Sequence, residues 1–222
     1  MVKVRMAAPV LQQNDEVAAE NRKVFLQKGV FVLNLMSSPG SGKTSVLERT
    51  IEGLSGRLKL GVVEGDIYTT RDAERIEKYG IPVVQINTAG ACHLDARMVK
   101  PTLEDFDLKE IDLLIVENVG NLVCPAEFDL GEDARAAVLS VTEGNDKPVK
   151  YPLVFRESRA VLINKIDLLP YTDCDVDQLE KDLKQINPEL MLFRVSARSG
   201  EGFEPWLSWL ENQVREKQAQ KR

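Results

Sequence analysis

The stretch FVLNLMSSPGSGKTS, Phe31 to Ser45, decides the fold. A mostly apolar run passes directly into a turn rich in Gly and Ser, and a Lys-Thr-Ser sequence opens the next segment. From Ser37 the turn fits the phosphate-loop pattern GxxxxGK(S/T), with Ser37 standing in place of the first glycine. The chemistry tolerates that departure. Gly40, Ser41 and Gly42 let the backbone curl so that successive N–H groups face an anion at the positive end of the next helix. Lys43 is then placed to reach the β- and γ-phosphates of a nucleotide. Thr44 supplies a hydroxyl ligand for Mg²⁺, which takes few protein oxygens, and Ser45 continues the first helical turn.

Working outward, apolar runs alternate with amphipathic segments. FVLNLM (31–36), LKLGVVEG (58–65), IPVVQI (81–86), IDLLIVEN (111–118), AVLINK (160–165) and LMLFRVS (190–196) read as buried parallel strands. Helices are expected over Ser45 to Gly53, Arg71 to Tyr79, Leu94 to Glu104, Asp177 to Ile186 and Phe203 to Lys217. Val17, Ala18, Asn21, Val24 and Phe25 add a helix ahead of the first strand. Residues 132–151 are ambiguous, with a further strand at Ala136 to Val141 and a polar loop at EGNDKP. This rhythm predicts an α/β fold with a doubly wound, mainly parallel sheet, the P-loop NTPase or G-domain arrangement. It divides the chain into an N-terminal helical extension (1–29) and one nucleotide-binding domain (30–222).

Composition removes several function classes. With 222 residues, 43% hydrophobic and 29% charged, the chain suits one ordinary globular core. The formal charge of −6 argues against nucleic acid or an anionic membrane as partner. No run approaches the ~20 apolar residues of a membrane span, and the N-terminus has no signal-peptide succession, so a cytoplasmic location is expected. Three cysteines, Cys92, Cys124 and Cys174, read as thiols rather than a disulfide framework.

A second motif narrows the nucleotide. NKID, Asn164 to Asp167, ends an apolar run, and the Asp167 carboxylate can accept from both N1–H and the exocyclic amine of guanine, a donor pair that adenine lacks. Lys165 packs its stem over the base. In VSARSGEG, Ser196 and Ala197 stand at the last strand's end, where a backbone N–H can meet guanine O6. ENVG places Glu117 to hold Mg²⁺ through water and Gly120 to sense the γ-phosphate, at the strand ends where ligands collect in open α/β sheets. Asp66, in VVEGDIYTTRD, is the candidate to contact Mg²⁺ or orient the attacking water. GTP, GDP and Mg²⁺ are the ligands these residues imply.

A third group lies beside the phosphate-sensing segment. The chain's one histidine, His93, follows Cys92, and Cys124 lies four residues past Gly120. Thiolate and imidazole suit zinc, nickel or copper better than magnesium. Three ligands leave a closed structural site incomplete, a vacancy that water or a second copy could fill. Cys174 has no such company.

These motifs together resemble the HypB family of hydrogenase nickel-incorporation GTPases, in the SIMIBI class of P-loop proteins. LNLMSSPGSGKTS, NTAGACHLDA, IVENVGNLVCPAEFDLGE, LINKIDLLP and VSARSGEGFEPWLSWL carry the likeness, which spans residues 30–212. The resemblance implies slow GTP hydrolysis and nickel or zinc at Cys92, His93 and Cys124, on a homodimer interface promoted by GTP. It implies that Lys147, from the loop NDKP, approaches the partner copy's nucleotide. It also implies nickel exchange with HypA, a small zinc-containing chaperone, and delivery to a hydrogenase large subunit. Residues 1–29 contain neither Cys nor His, unlike the N-terminal metal motifs of many relatives, so tight N-terminal nickel storage is not expected. A urease-accessory GTPase, a metal-independent GTPase switch and a small-molecule kinase remain as alternatives, the last opposed by NKID.

Overall fold

The computed structural model describes residues 10–66 and 71–220. In chain order its elements are α1 (Val10–Lys28), β1 (Phe31–Ser37), α2 (Lys43–Leu54), β2 (Leu60–Asp66), α3 (Arg71–Glu77) and β3 (Val83–Asn87). Then come α4 (Ala96–Thr102), β4 (Leu113–Gly120), α5 (Cys124–Glu127), β5 (Ala134–Ser140), α6 (Lys147–Lys150) and α7 (Pro152–Glu157). The chain closes with β6 (Ala160–Asn164), α8 (Val176–Ile186), β7 (Met191–Arg194) and α9 (Phe203–Gln220).

The seven strands form one sheet in the order β3-β2-β4-β1-β5-β6-β7, and every pairing within it is parallel. Parallel neighbours require crossovers, and the helices that make them bury both faces of the central strands, which explains the near-continuous apolar runs. All seven residues of β1 are buried. One face packs under α2 and α9, where Trp206, Leu47 and Ile51 fill the core. The other face divides between a cluster around Phe155 and Leu139 and one around Phe25, Leu114 and Val116.

Three expectations change with the structure. The runs at 81–86 and 190–196 are not fully buried strands, because β3 and β7 are the sheet's edges and have a neighbour on one side alone. Their side chains are correspondingly half-exposed. The ambiguous 132–151 stretch resolves into β5, a 3-10 turn at Val141–Glu143 and the short helix α6 starting at Lys147. The helix expected from Leu94 begins at Ala96 instead, because the Asp95 side chain accepts from the Arg97 and Met98 N–H groups and caps it there.

One glycine holds the turn between β7 and α9 against the sheet. Gly202 has φ +75°, and a Cβ there would lie 1.9 Å from the Arg194 carbonyl oxygen. Gly202→Ala therefore meets both left-handed strain and a backbone clash. It should cost about 2–3 kcal/mol, read as a lower urea midpoint with an unchanged slope.

Candidate functional site

The phosphate loop joins β1 to α2 at the C-terminal edge of the sheet. Gly40 and Gly42 take φ +79° and +92°, and Gly42 occupies the N-cap position of α2. A Cβ on Gly42 would sit 2.6 Å from Asn164 Nδ2, so the loop's tight curl and the close approach of the end of β6 require a glycine at the same point. Ser37, in place of the usual glycine, is buried and turns its hydroxyl onto the Ser38 carbonyl at 2.9 Å. That satisfies the hydroxyl locally and leaves the loop its shape.

Lys43 and Thr44 converge on one carboxylate. The Lys43 ammonium is ion-paired with Glu117 Oε1, and the Thr44 hydroxyl donates to the same oxygen at 2.7 Å. Glu117 is fully buried. Burial opposes its charge, yet Lys43 beside it, with donors from Glu64, Lys43 and Thr44, holds its carboxyl below the usual range. Gly120, at the end of β4, lies across from Ser37, and a Cβ there would touch Pro39 Cα at 3.4 Å. Asp66 ends β2 beside Asn87 and precedes residues outside the described part.

Sequence reasoning missed Glu64. It is the cross-strand neighbour of Glu117 in the β2–β4 pairing and is 2% exposed. Burial, then the Glu117 charge, push its carboxyl up to about 11, so it stays protonated. Glu64 Oε2 and Glu117 Oε2 are both buried without a conventional donor, and a proton on Glu64 supplies one between the two side chains. The missing signal was register: Glu64 and Glu117 become a pair when β2 lies beside β4, although the chain separates them by more than fifty residues.

Asn164 ties the two halves of the nucleotide cavity together. Its Nδ2 donates to the Ser41 carbonyl at 3.0 Å, and its Oδ1 accepts from the Ala197 N–H at 3.0 Å. Lys165, with φ +64°, sends its ammonium to the Gly40 carbonyl at 2.6 Å. Ser196 donates its hydroxyl to Asp167 Oδ1 at 2.6 Å. The N–H groups of Ser196 and Ala197, one of them expected to meet guanine O6, are both engaged within the chain: Ser196 N–H donates to the Glu201 carbonyl and Ala197 N–H to Asn164. Between these elements lies a cavity of about 440 Å³, walled by Gly42, Arg49, Asn164, Lys165, Asp167 and Ala197. A second, of about 290 Å³, faces Ser38, Gly40, Lys43, Thr44, Arg75 and Gly120. The first carries the Asp167 carboxylate, and the second the Lys43 ammonium and Thr44 hydroxyl of the phosphate loop. Lys147 stands at the start of α6, 3.7 Å from Glu143, whose carboxylate also accepts from the Ser38 hydroxyl of the phosphate loop.

Cys92, His93 and Cys124 come together as the residue types suggested, with their donor atoms all within 4.8 Å of one another. The two sulfurs are 3.1 Å apart, and His93 Nδ1 lies 3.7 Å from the Cys92 sulfur. The His93 ring stacks on Phe128 at 3.9 Å, which fixes its plane. Burial lowers the His93 pKa and so favours the neutral, ligating form, against the pull of Asp95 and Glu127. The hydrogen bond with Cys92, followed by burial, raises the Cys124 thiol. Two sulfurs and one imidazole fit zinc or nickel, with a fourth position left to another donor. Cys174 stands apart, half-buried against the cluster around Phe155.

A parallel sheet carrying a phosphate loop, with its cation, hydroxyl and acidic residue at the strand ends, defines a P-loop nucleotide-binding protein. The chain belongs to the CobW/HypB/UreG family of nucleotide-binding domains, whose profile matches residues 31–194, and within it to the HypB hydrogenase maturation factors. It is 55% identical to the hydrogenase maturation factor HypB of Azotobacter vinelandii over 210 residues, 95% of this chain and 69% of that protein. Among solved structures it is similar to HypB from Helicobacter pylori in complex with nickel, with TM-score 0.87 and 41% identity over 92% of this chain and 96% of that one. HypB from Archaeoglobus fulgidus matches with TM-score 0.86 and 40% identity, over 92% of this chain and all of that one. Among the described residues no helix is long and apolar enough to cross a membrane.

Proposed function

We propose that this chain is a GTP-hydrolysing metallochaperone that carries nickel during NiFe-hydrogenase maturation. One observation carries the reading: the Cys/His triad takes one of its three members from the segment leaving the phosphate-sensing strand, since Gly120 ends β4 and Cys124 opens α5 four residues later. Movement at Gly120 on phosphate loss is thereby conveyed to one of three metal ligands. The nickel complex of the Helicobacter pylori relative is consistent with the same cargo.

Asp167 reads guanine, held in aim by the Ser196 hydroxyl. Lys43 transfers from Glu117 to the β- and γ-phosphates as they enter, which frees Glu117 and Thr44 for Mg²⁺, with Asp66 beside them. Held there, Mg²⁺ would neutralise charge that develops on the phosphates. Ser41, Ser45 and the loop N–H groups hold the phosphates in line. Among the described residues no arginine is aimed into the loop as a free cation: Arg75 is occupied by Glu48 and Asp72. Hydrolysis is accordingly slow until a second copy, through Lys147, adds charge. Dimerisation, exchange with a HypA-type chaperone and delivery to a hydrogenase large subunit in the cytoplasm complete the proposal.

Nickel and zinc titration, with GDP and then with a non-hydrolysable GTP analogue, tests it. Cys92→Ala and Cys124→Ala should each weaken metal binding at least ~10-fold and leave GDP affinity unchanged, and wild-type affinity should differ between the two nucleotides. Equal metal affinity in wild type and both variants would leave a GTPase switch without this cargo.

A further inference from the structure

Helix α1 buries an unusual stripe. Its inward residues are Asn14, Ala18, Asn21 and Phe25, spaced for one helical face, and the two asparagines are 0% and 1% exposed. A helix that only covered a core would present apolar groups there, because a buried amide is tolerated when its hydrogen bonds are made. What these amides bind is specific. Asn14 Oδ1 accepts from the Ala96 N–H at 2.8 Å while its Nδ2 donates to the Asp129 carbonyl at 2.8 Å. Asn21 Nδ2 donates to the Ala96 carbonyl at 3.1 Å and to the Leu130 carbonyl at 3.0 Å. Each amide therefore bridges the same two segments, and both polar groups of Ala96 are held by α1.

Those segments carry the metal ligands. Ala96 comes three residues after His93, and Asp129 directly follows Phe128, the ring on which His93 stacks, five residues after Cys124. The sheet does not set their separation, because Cys92 and His93 leave from β3 and Cys124 from β4, with β2 between these strands. Local ties exist at the ligand end: Asn121 Nδ2 donates to the Cys92 carbonyl at 3.2 Å, and Asn118 Oδ1 accepts from the Leu94 N–H at 3.0 Å. At the other end α1 closes the frame. Gly131, with φ +92°, lets the helix approach so near that a Cβ would meet the Ala18 carbonyl oxygen at 2.6 Å. Arg22 adds a two-pronged bond to Asp129 at 2.7 and 2.8 Å.

We propose that α1 is a positioning element for the metal group, with Asn14 and Asn21 as positioning residues that fix the spacing of Cys92 and His93 against Cys124. The inference rests on the metal-binding reading above and extends it to a helix that lines neither nucleotide cavity. Metal affinity depends on donors being held at the ion's own distances, and groups that orient ligands from outside the coordination sphere are commonly worth 10- to 100-fold. α1 acts one step further out, through the main chain, so the low end of that range applies.

The test uses the full chain. Asn21→Leu keeps the number and branching of the side-chain heavy atoms and removes both bridging bonds; Arg22→Ala, at a half-exposed position, loosens the Asp129 end without opening the core. Nickel affinity is followed by thiolate-to-nickel absorbance, alongside GDP affinity and the unfolding midpoint, with Cys92→Ala as reference. The expected result is nickel binding about tenfold weaker in Asn21→Leu, weaker to a smaller degree in Arg22→Ala, and GDP affinity unchanged in both, since no α1 residue lines either nucleotide cavity. If Asn21→Leu does not fold, Arg22→Ala decides. Unchanged nickel affinity in the folded α1 variants, with binding lost in Cys92→Ala, overturns this inference and leaves the metal reading standing. Parallel loss of nickel and GDP affinity also overturns it, as general loosening. Failure of the wild type to bind metal removes both.

Discussion

Asp167→Asn should lower GTP affinity by roughly 10² to 10⁴-fold and raise affinity for XTP. The carboxylate lines the larger cavity and is aimed by the Ser196 hydroxyl at 2.6 Å. An ionised acceptor paired with two guanine donors forms two charge-assisted bonds, each worth about 1.5–3 kcal/mol, and their joint loss gives the stated range. An asparagine amide offers one acceptor and one donor, and its donor confronts the guanine amine. Xanthine carries a carbonyl at that position, so the same amide matches it. Competition of GTP, XTP and ATP against a fluorescent GDP decides the matter: equal weakening of GTP and XTP would mean that Asp167 shapes the pocket without reading the base. Ser196→Ala should reproduce a small part of the GTP loss, because it removes the aim and keeps the charge.

What the sequence made legible is the chemistry that neighbours along the chain define. SSPGSGKTS and NKID are contiguous, and their glycines and polar groups have one structural use between a strand and a helix. The central strands were legible for a related reason, since burial on both faces forces an apolar run. Where the answer depends on which strand lies beside which, the sequence was silent. It could not distinguish the edges β3 and β7 from central strands, because the residues of an edge strand are nearly as apolar as the rest. Nor could it show that β5 stops at Ser140 and Val141 opens a capped 3-10 turn, where Ser140 and Glu143 exchange hydrogen bonds.

The Cys/His group shows the same boundary. Cys92 and His93 are adjacent and Cys124 lies near Gly120, so their grouping could be argued from residue type and position. That Phe128 stacks on His93, and that two asparagines of α1 hold the segments on either side, required the fold. Helical spacing at Ala18, Asn21 and Phe25 pointed to α1, yet it assigned the asparagine in that stripe no further use. Its use as a bridge depends on the carbonyls that the folded chain brings to it.

Glu64→Gln should make the nucleotide-free protein more stable, by an amount that grows with pH. A buried acid whose folded pKa lies above its ordinary 4.5 contributes stability that is complete below 4.5 and is lost as pH rises toward the folded value, here about 11. Across that window the unfolded chain ionises Glu64 freely and the native chain does not, so the wild type loses stability with every step upward. Glutamine never ionises, and its amide still offers Glu117 a donor. Glu117 shifts the opposite way and is common to both proteins, so the difference between them isolates Glu64. Each pH unit is worth up to about 1.4 kcal/mol, giving a gap of a few kcal/mol at pH 8 and little near pH 4, measurable by urea unfolding across that range. Curves that run parallel would mean that Glu64 is ionised in the folded protein and that Lys43 is shared between two carboxylates. The predicted gap implies a division of labour within the pair: one carboxyl is kept neutral so that a single negative charge, on Glu117, faces Lys43 and Thr44. Glu64→Gln should therefore retain nucleotide binding, whereas Glu64→Ala, which withdraws the donor from buried Glu117, should weaken it.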